Sequence, residues 1–127
     1  MPEQHLFEYA IIRVVPQVER EEFMNVGVVV FCMRPKFLQV KYMLNRERLA
    51  AFAPKLDITE IETYLCAFER ICKGEKGSGN IGLLPHSERF RWLTATRSTV
   101  VQCSKVHPGL CESPTAILER LFEQMVL

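Results

Sequence analysis

The chain contains a single aspartate, Asp57, among its 127 residues. That scarcity weighs against a carboxylate-rich magnesium site, which needs several hard oxygen ligands in one place. Long apolar runs are also missing. The strongest, Val26 to Met33, falls far short of the ~20 residues that carry a helix across a bilayer. The first residues, Met1 to His5, show no basic stretch leading into an apolar run and a small-residue cleavage site. The expectation is a cytoplasmic protein with no membrane association. No Cys-x-x-Cys pair occurs, and the five cysteines (Cys32, Cys66, Cys72, Cys103 and Cys111) sit in apolar segments, which points to free thiols in a reducing compartment. Net charge is nearly absent too: 16 Lys and Arg against 15 Asp and Glu leave +1, so no overall field advertises a nucleic-acid or membrane partner.

What is present is a globular composition, 48% hydrophobic with 8 Phe and 3 Tyr. One hydrophobic core serves roughly 100–150 residues, so a single domain over residues 1–127 is expected. Residues 7–15, 23–32 and 37–44 read as strands joined by short polar links, an antiparallel meander. The period then changes from 2 to 3.6. Asn45 can cap a short helix over 46–52, and Asp57 opens a longer one over 58–73 with Ile58, Ile61, Leu65, Phe68 and Cys72 on one stripe. Residues 74–80 read as a loop, 85–92 as a single helical turn, and 98–106 as a fourth strand. Ser113-Pro114 starts a closing helix whose stripe is Ile117, Leu118, Leu121, Phe122 and Met125. The predicted class is α+β, an antiparallel sheet of about four strands (the meander plus the later strand) covered by two or three helices.

Several patterns look like chemistry and are weaker on inspection. Gly77-Ser78-Gly79-Asn80-Ile81-Gly82 matches a dinucleotide fingerprint by letter, but it follows a helix and opens none. Cys103, His107 and Cys111 are zinc-type ligands at four-residue spacing, which along a strand holds them ~13 Å apart. They meet only if Pro108-Gly109 turns the chain back, and His86 is the one nearby candidate for a fourth ligand. A Cys103–His107 nucleophile pair lacks an orienting third group. An enzyme built on Glu22, Arg97 and His107 requires all three in one pocket. The expectation is therefore no metal, no cofactor and no assigned catalytic residue.

Charge is uneven along the chain. Residues 34–55 hold Arg34, Lys36, Lys41, Arg46, Arg48 and Lys55 against Glu47 alone, whereas residues 1–33 hold five Glu against two Arg. A two-signed surface suits docking to a protein, since complementary patches steer encounter. The densest mixture of guanidinium, aromatic and hydroxyl groups is Glu88 to Thr99. Arginine forks match carboxylate or phosphate, and aromatic faces stack on bases. Arg89, Arg91, Trp92, Arg97, Ser98, Gln102 and His107 are candidate binding residues, together with Glu22 and Asn25 at the start of the second strand. The structural alternative has Phe90, Trp92 and Leu93 filling the core while the arginines pair with Glu21, Glu22 or Glu88.

Four blocks in order, Glu22 to Phe31, Glu88 to Leu93, Arg97 to Gln102 and Val106 to Leu110, resemble a small bacterial family of uncharacterised proteins of about this length, catalogued as a domain of unknown function. The resemblance covers almost the whole chain. It assigns no catalytic residue and implies a context, since genes of that family neighbour HipA-like toxin kinases. The leading expectation is a non-catalytic protein-interaction module acting with a partner such as a HipA-like kinase. The alternative is nucleic-acid or nucleotide binding through residues 89–107, with Trp92 stacking and Arg89, Arg91, Arg97 and Lys105 on phosphates.

Overall fold

The computed structural model describes residues 3–95, 97 and 99–127. Strands β1 (His5–Val14), β2 (Met24–Cys32) and β3 (Phe37–Tyr42) form the antiparallel meander. Helices α1 (Arg46–Phe52), α2 (Ile58–Lys73) and α3 (His86–Thr94) follow, then strands β4 (Val101–Cys103) and β5 (His107–Cys111), and helix α4 (Pro114–Met125) closes the chain. The sheet is entirely antiparallel. β1 lies between β2 on one edge and, on the other, β4 and β5 in succession. The fold is α+β as predicted, with five strands and four helices.

The predicted caps form. The Asn45, Asp57 and Ser113 side chains accept from the main-chain N–H of Arg48 (3.0 Å), Glu60 (3.1 Å) and Ala116 (3.2 Å), each satisfying a donor that a helix start leaves free. Helix α2 stops at Gly74, in the left-handed conformation at φ 66°, where only glycine adopts the backbone without strain.

The sheet carries a hydrophobic core on each face. Ala10, Ile12, Val14, Val29, Phe31 and Leu38 pack under α1, α2 and α3 with Leu49, Ile61, Leu65, Phe68, Phe90 and Leu93. Phe7, Ile11, Val28, Val30, Cys32 and Phe37 pack under α4 with Leu118, Leu121 and Phe122. Side chains alternate faces along a strand, so β1 and β2 must be apolar at nearly every position. A bulge explains the exception: Ile12 pairs with Gly27 but Arg13 with Asn25, leaving Val26 as an extra residue that joins the first core.

Two segments depart from the sequence reading. Residues 85–92 are not one turn; α3 runs nine residues, because His86, Arg89, Phe90 and Leu93 form a helical stripe and the Phe90 ring stacks on Phe31 at 5.3 Å. The fourth strand is also shorter than predicted, and Pro108-Gly109 does not turn. Both residues lie within β5, opposite Glu8 and Phe7. An edge strand tolerates a proline, and the second residue has to be glycine: a Cβ there would stand 2.6 Å from the Phe7 ring. Between β4 and β5, Ser104 keeps the ladder closed, its N–H donating to Ile11 O and its Oγ accepting from Ile11 N, both at 2.8 Å.

Gly109→Ala is expected to destabilise the fold by about 1–3 kcal/mol, the usual range for overpacking a filled site, because the Phe7 ring must leave its rotamer. Urea unfolding of the variant beside the native chain measures it as a lower midpoint at unchanged m-value.

Candidate functional site

The Arg/Trp segment divides between the interior and the surface. Arg89 turns inward and is 7% exposed. Its Nε donates to Leu84 O (2.8 Å), and one terminal nitrogen donates to Ile71 O (2.7 Å) and Cys72 O (2.9 Å). The guanidinium thus ties the end of α2 to the start of α3, satisfying carbonyls that a helix terminus leaves unpaired. Arg97 closes the other end of α3, donating to Trp92 O and Leu93 O, with its guanidinium carbon 4.5 Å from the exposed Trp92 ring. That stacking occupies one face of the ring. Arg91 is exposed, and Ser98 lies outside the described residues.

Asn25 and Gln102 come together, with Arg13 between them: β1 places Arg13 opposite both. The sequence reading missed Arg13. Its guanidinium lies 4.0 Å from the Phe23 ring, while its Nε and Asn25 Oδ1 are both buried without a hydrogen-bond partner. Asn25 Nδ2 donates to Met125 O (3.0 Å), anchoring the end of α4, and Gln102 donates to Thr99 O (2.7 Å).

The remaining predicted residues do not converge. Glu22 is exposed and pairs with Arg20, whose charge and hydrogen bond hold its carboxyl below the usual range. His107 sits opposite Tyr9, its ring 5.4 Å from the tyrosine ring. Glu22 precedes Met24, which pairs with Val14, so five residues of β1, roughly 16 Å, separate the two regions. A pocket built on Glu22, Arg97 and His107 is not assembled. Nor do the zinc-type residues meet: Cys103, His107 and Cys111 stand opposite Ile12, Tyr9 and His5 along one edge. Among the described residues no three His, Cys, Asp or Glu side chains form a metal-sized group.

The most distinctive exposed feature lies where no sequence signal pointed. Leu6 and Leu110 are directly opposite each other on β1 and β5, and they are 64% and 65% exposed. Met33, which follows the Phe7–Cys32 pair, is 60% exposed. Pro108 and Val106 extend the same side of the edge strand, and both are exposed. The chief helix contacts fall on β1 to β4 and none on β5; at this end of the sheet α4 packs over Phe7 and Cys111 on one face, while Leu6, Pro108 and Leu110 stand exposed on the other. Contiguous exposed apolar side chains are a common feature of interaction surfaces. Glu8 lies opposite Pro108, and exposed Glu3 and Glu112 flank the two strands. The row therefore has acidic surroundings at the β1–β5 side.

The protein-family comparison matches residues 9–126 to a model described as Protein of unknown function (DUF3037). The chain belongs to this family. No curated protein and no solved structure matches it.

Two predictions follow from the interior groups. Arg89→Ala leaves three carbonyls without their charged donor and opens a void, for an expected loss of about 3–5 kcal/mol, read as a fall in the thermal midpoint. Burial pushes the Cys72 thiol up to about 12 and Cys103 to about 11, the latter against the opposing charges of Arg97 and Arg13. The ordinary value is 9.0, so the folded state holds these protons after the unfolded chain releases them. Their stabilising contribution is complete below about pH 9 and is lost as pH rises towards 11 and 12. Unfolding free energies measured across that window should fall, and iodoacetamide at pH 8 should modify exposed Cys66 well before Cys72 or Cys103.

Proposed function

We propose that this protein is a non-catalytic interaction module of the bacterial cytoplasm that binds a protein partner through the exposed face at this end of its sheet. The observation that carries the reading is the cross-strand pair Leu6–Leu110, both nearly two-thirds exposed, with Met33, Pro108 and Val106 alongside. Burying two leucines contributes about 3–6 kcal/mol gross, part of which is consumed in ordering the partners. The acidic rim of Glu3, Glu8 and Glu112 favours a partner segment that is apolar with basic flanks, since opposite potentials orient the encounter. A HipA-like kinase is the first candidate, on the resemblance of the four sequence blocks. The nucleic-acid reading has less support: Arg89 is occupied inside the fold and Arg97 is engaged by Trp92 O, Leu93 O and the Trp92 ring, leaving Arg91 and Lys105 for phosphates.

Co-expression with a HipA-like kinase from the same genome tests the proposal. The kinase is expected to co-purify near stoichiometrically after nuclease treatment. The double variant Leu6→Glu, Leu110→Glu should lose at least about tenfold in affinity, with only a small fall in the thermal midpoint, because both positions are exposed but the two carboxylates then stand directly opposite each other. A complex indifferent to the two substitutions refutes this surface. Recovery of nucleic acid alone, lost as salt rises, replaces the reading with phosphate contact.

A further inference from the structure

Between the β2–β3 turn and the start of α3 lie two adjoining clefts. One, of about 440 Å³, is bordered by Lys36, Glu69, Lys73 and His86. The other, of about 340 Å³, is bordered by Met33, Lys36, His86, Ser87 and Arg89. Lys36 and His86 belong to both. Three cations from three parts of the chain thus border the adjoining pair: Lys36 from the turn lines both clefts, Lys73 from the last turn of α2 lines the first, and Arg89 from α3 lines the second.

This charge is not compensated. The ion pairs among the described residues are Arg20–Glu22, Lys41–Glu119 and Arg46–Glu62, none of which involves these cations. Arg89 is held by main-chain carbonyls alone, and Glu69 is the single carboxylate bordering either cleft. His86 Nδ1 is buried with no hydrogen-bond partner. Helix α3 also begins here without a side-chain cap. The imidazole registers the surroundings: burial first, then Arg89 and Lys36, hold its pKa below the ordinary value of 6.5.

We propose that these clefts bind a small phosphomonoester, its phosphoryl group held between Lys36 and Lys73 with His86 at the junction and Arg89 as a fixed source of positive field. Three cations against one carboxylate favour a dianion over a monoanion, and charge-assisted hydrogen bonds from lysine and imidazolium are the strong class. The two clefts leave room for an organic group beside the phosphoryl. The site adds a ligand to the fold independently of the partner surface and does not rest on it.

A dianion beside His86 reverses the sign of its environment. The groups that line the clefts with it are Lys36 from the turn, Glu69, Cys72 and Lys73 from α2, and Arg89 on its own helix. With the ligand bound, the added negative charge favours the imidazolium. The His86 pKa therefore rises on binding, and by linkage the affinity for an oxyanion that stays a dianion, such as sulfate, rises as pH falls through that titration, whereas protonation of a phosphomonoester at about pH 6 opposes the gain.

Amide and imidazole NMR on the intact protein tests this, with inorganic phosphate, sulfate, glycerol 3-phosphate and a chloride control at matched ionic strength. Expected are saturable shifts at His86 and Ser87 with the three oxyanions and none with chloride. Glycerol 3-phosphate should bind at least as tightly as phosphate, and the His86 titration should move upward in sulfate, which itself carries no proton near neutrality. Lys36→Glu should weaken binding by about tenfold or more, while Leu6→Glu, Leu110→Glu should leave it unchanged. Unsaturable shifts, an affinity insensitive to Lys36→Glu, or a His86 titration that sulfate does not move would overturn the site. Weaker binding of glycerol 3-phosphate than of phosphate would overturn the phosphomonoester assignment.

Discussion

Strand β1 is hydrogen-bonded on both edges and, from Ala10 to Val14, covered on both faces, and most of the structure follows from that double burial. Its edges take β2 on one side and β4, Ser104 and β5 on the other. An unpaired main-chain group in that position would cost about as much as a lost buried hydrogen bond. The Ser104 hydroxyl meets this requirement where the edge chain changes from β4 to β5, accepting from Ile11 N. Alternation along β1 then divides the molecule: Ala10, Ile12 and Val14 face the three-helix layer, while Phe7 and Ile11 face α4. Helix positions are set by the apolar positions that this strand and β2 present.

Arg89 has the corresponding role among the helices. A buried guanidinium is costly unless hydrogen-bonded, and here its donors go to Ile71, Cys72 and Leu84 carbonyls. The segment between α2 and α3 is glycine-rich, with Gly74, Gly77 and Gly79 all at positive φ, so its own backbone does little to fix the angle between the two helices. The guanidinium fixes it instead. The same burial places a positive charge next to His86, with Glu69 the one carboxylate bordering the clefts. A packing solution thereby generates the electropositive character of the neighbouring clefts.

Strands β1 to β3 and helices α1, α2 and α4 are legible in the sequence because their apolar positions and caps follow simple periods. Asn45, Asp57 and Ser113 announce the helix starts before any tertiary contact is known. Helix α3 is less legible: its inward stripe includes His86 and Arg89, which read as surface residues until their partners are in view. Strand β5 is hidden for a different reason, since His107-Pro108-Gly109 carries turn chemistry. What makes it a strand is the Phe7 ring, a contact from residues a hundred positions away. The candidate binding residues show the same limit. Asn25 and Gln102 do meet, but only through Arg13, whose position between them depends on the pairing of three strands. The exposure of Leu6 and Leu110 depends on where the helices stop covering the sheet, a property no local pattern encodes.

The same edge strand also constrains how a partner engages. An open strand edge invites another chain to add to the sheet, and β5 is an edge beside an apolar row. Yet Pro108 supplies no N–H, and prolines in sheets turn the nitrogen to the open side. A strand added along β5 would find a donor missing at its centre. On the proposed reading, the contact would therefore fall on the face of the sheet, through the Leu6, Leu110, Pro108 and Val106 side chains, rather than on the main chain of β5. Face contact selects a partner by shape and apolar fit, and it leaves the β1–β5 ladder, on which both cores depend, undisturbed by the complex.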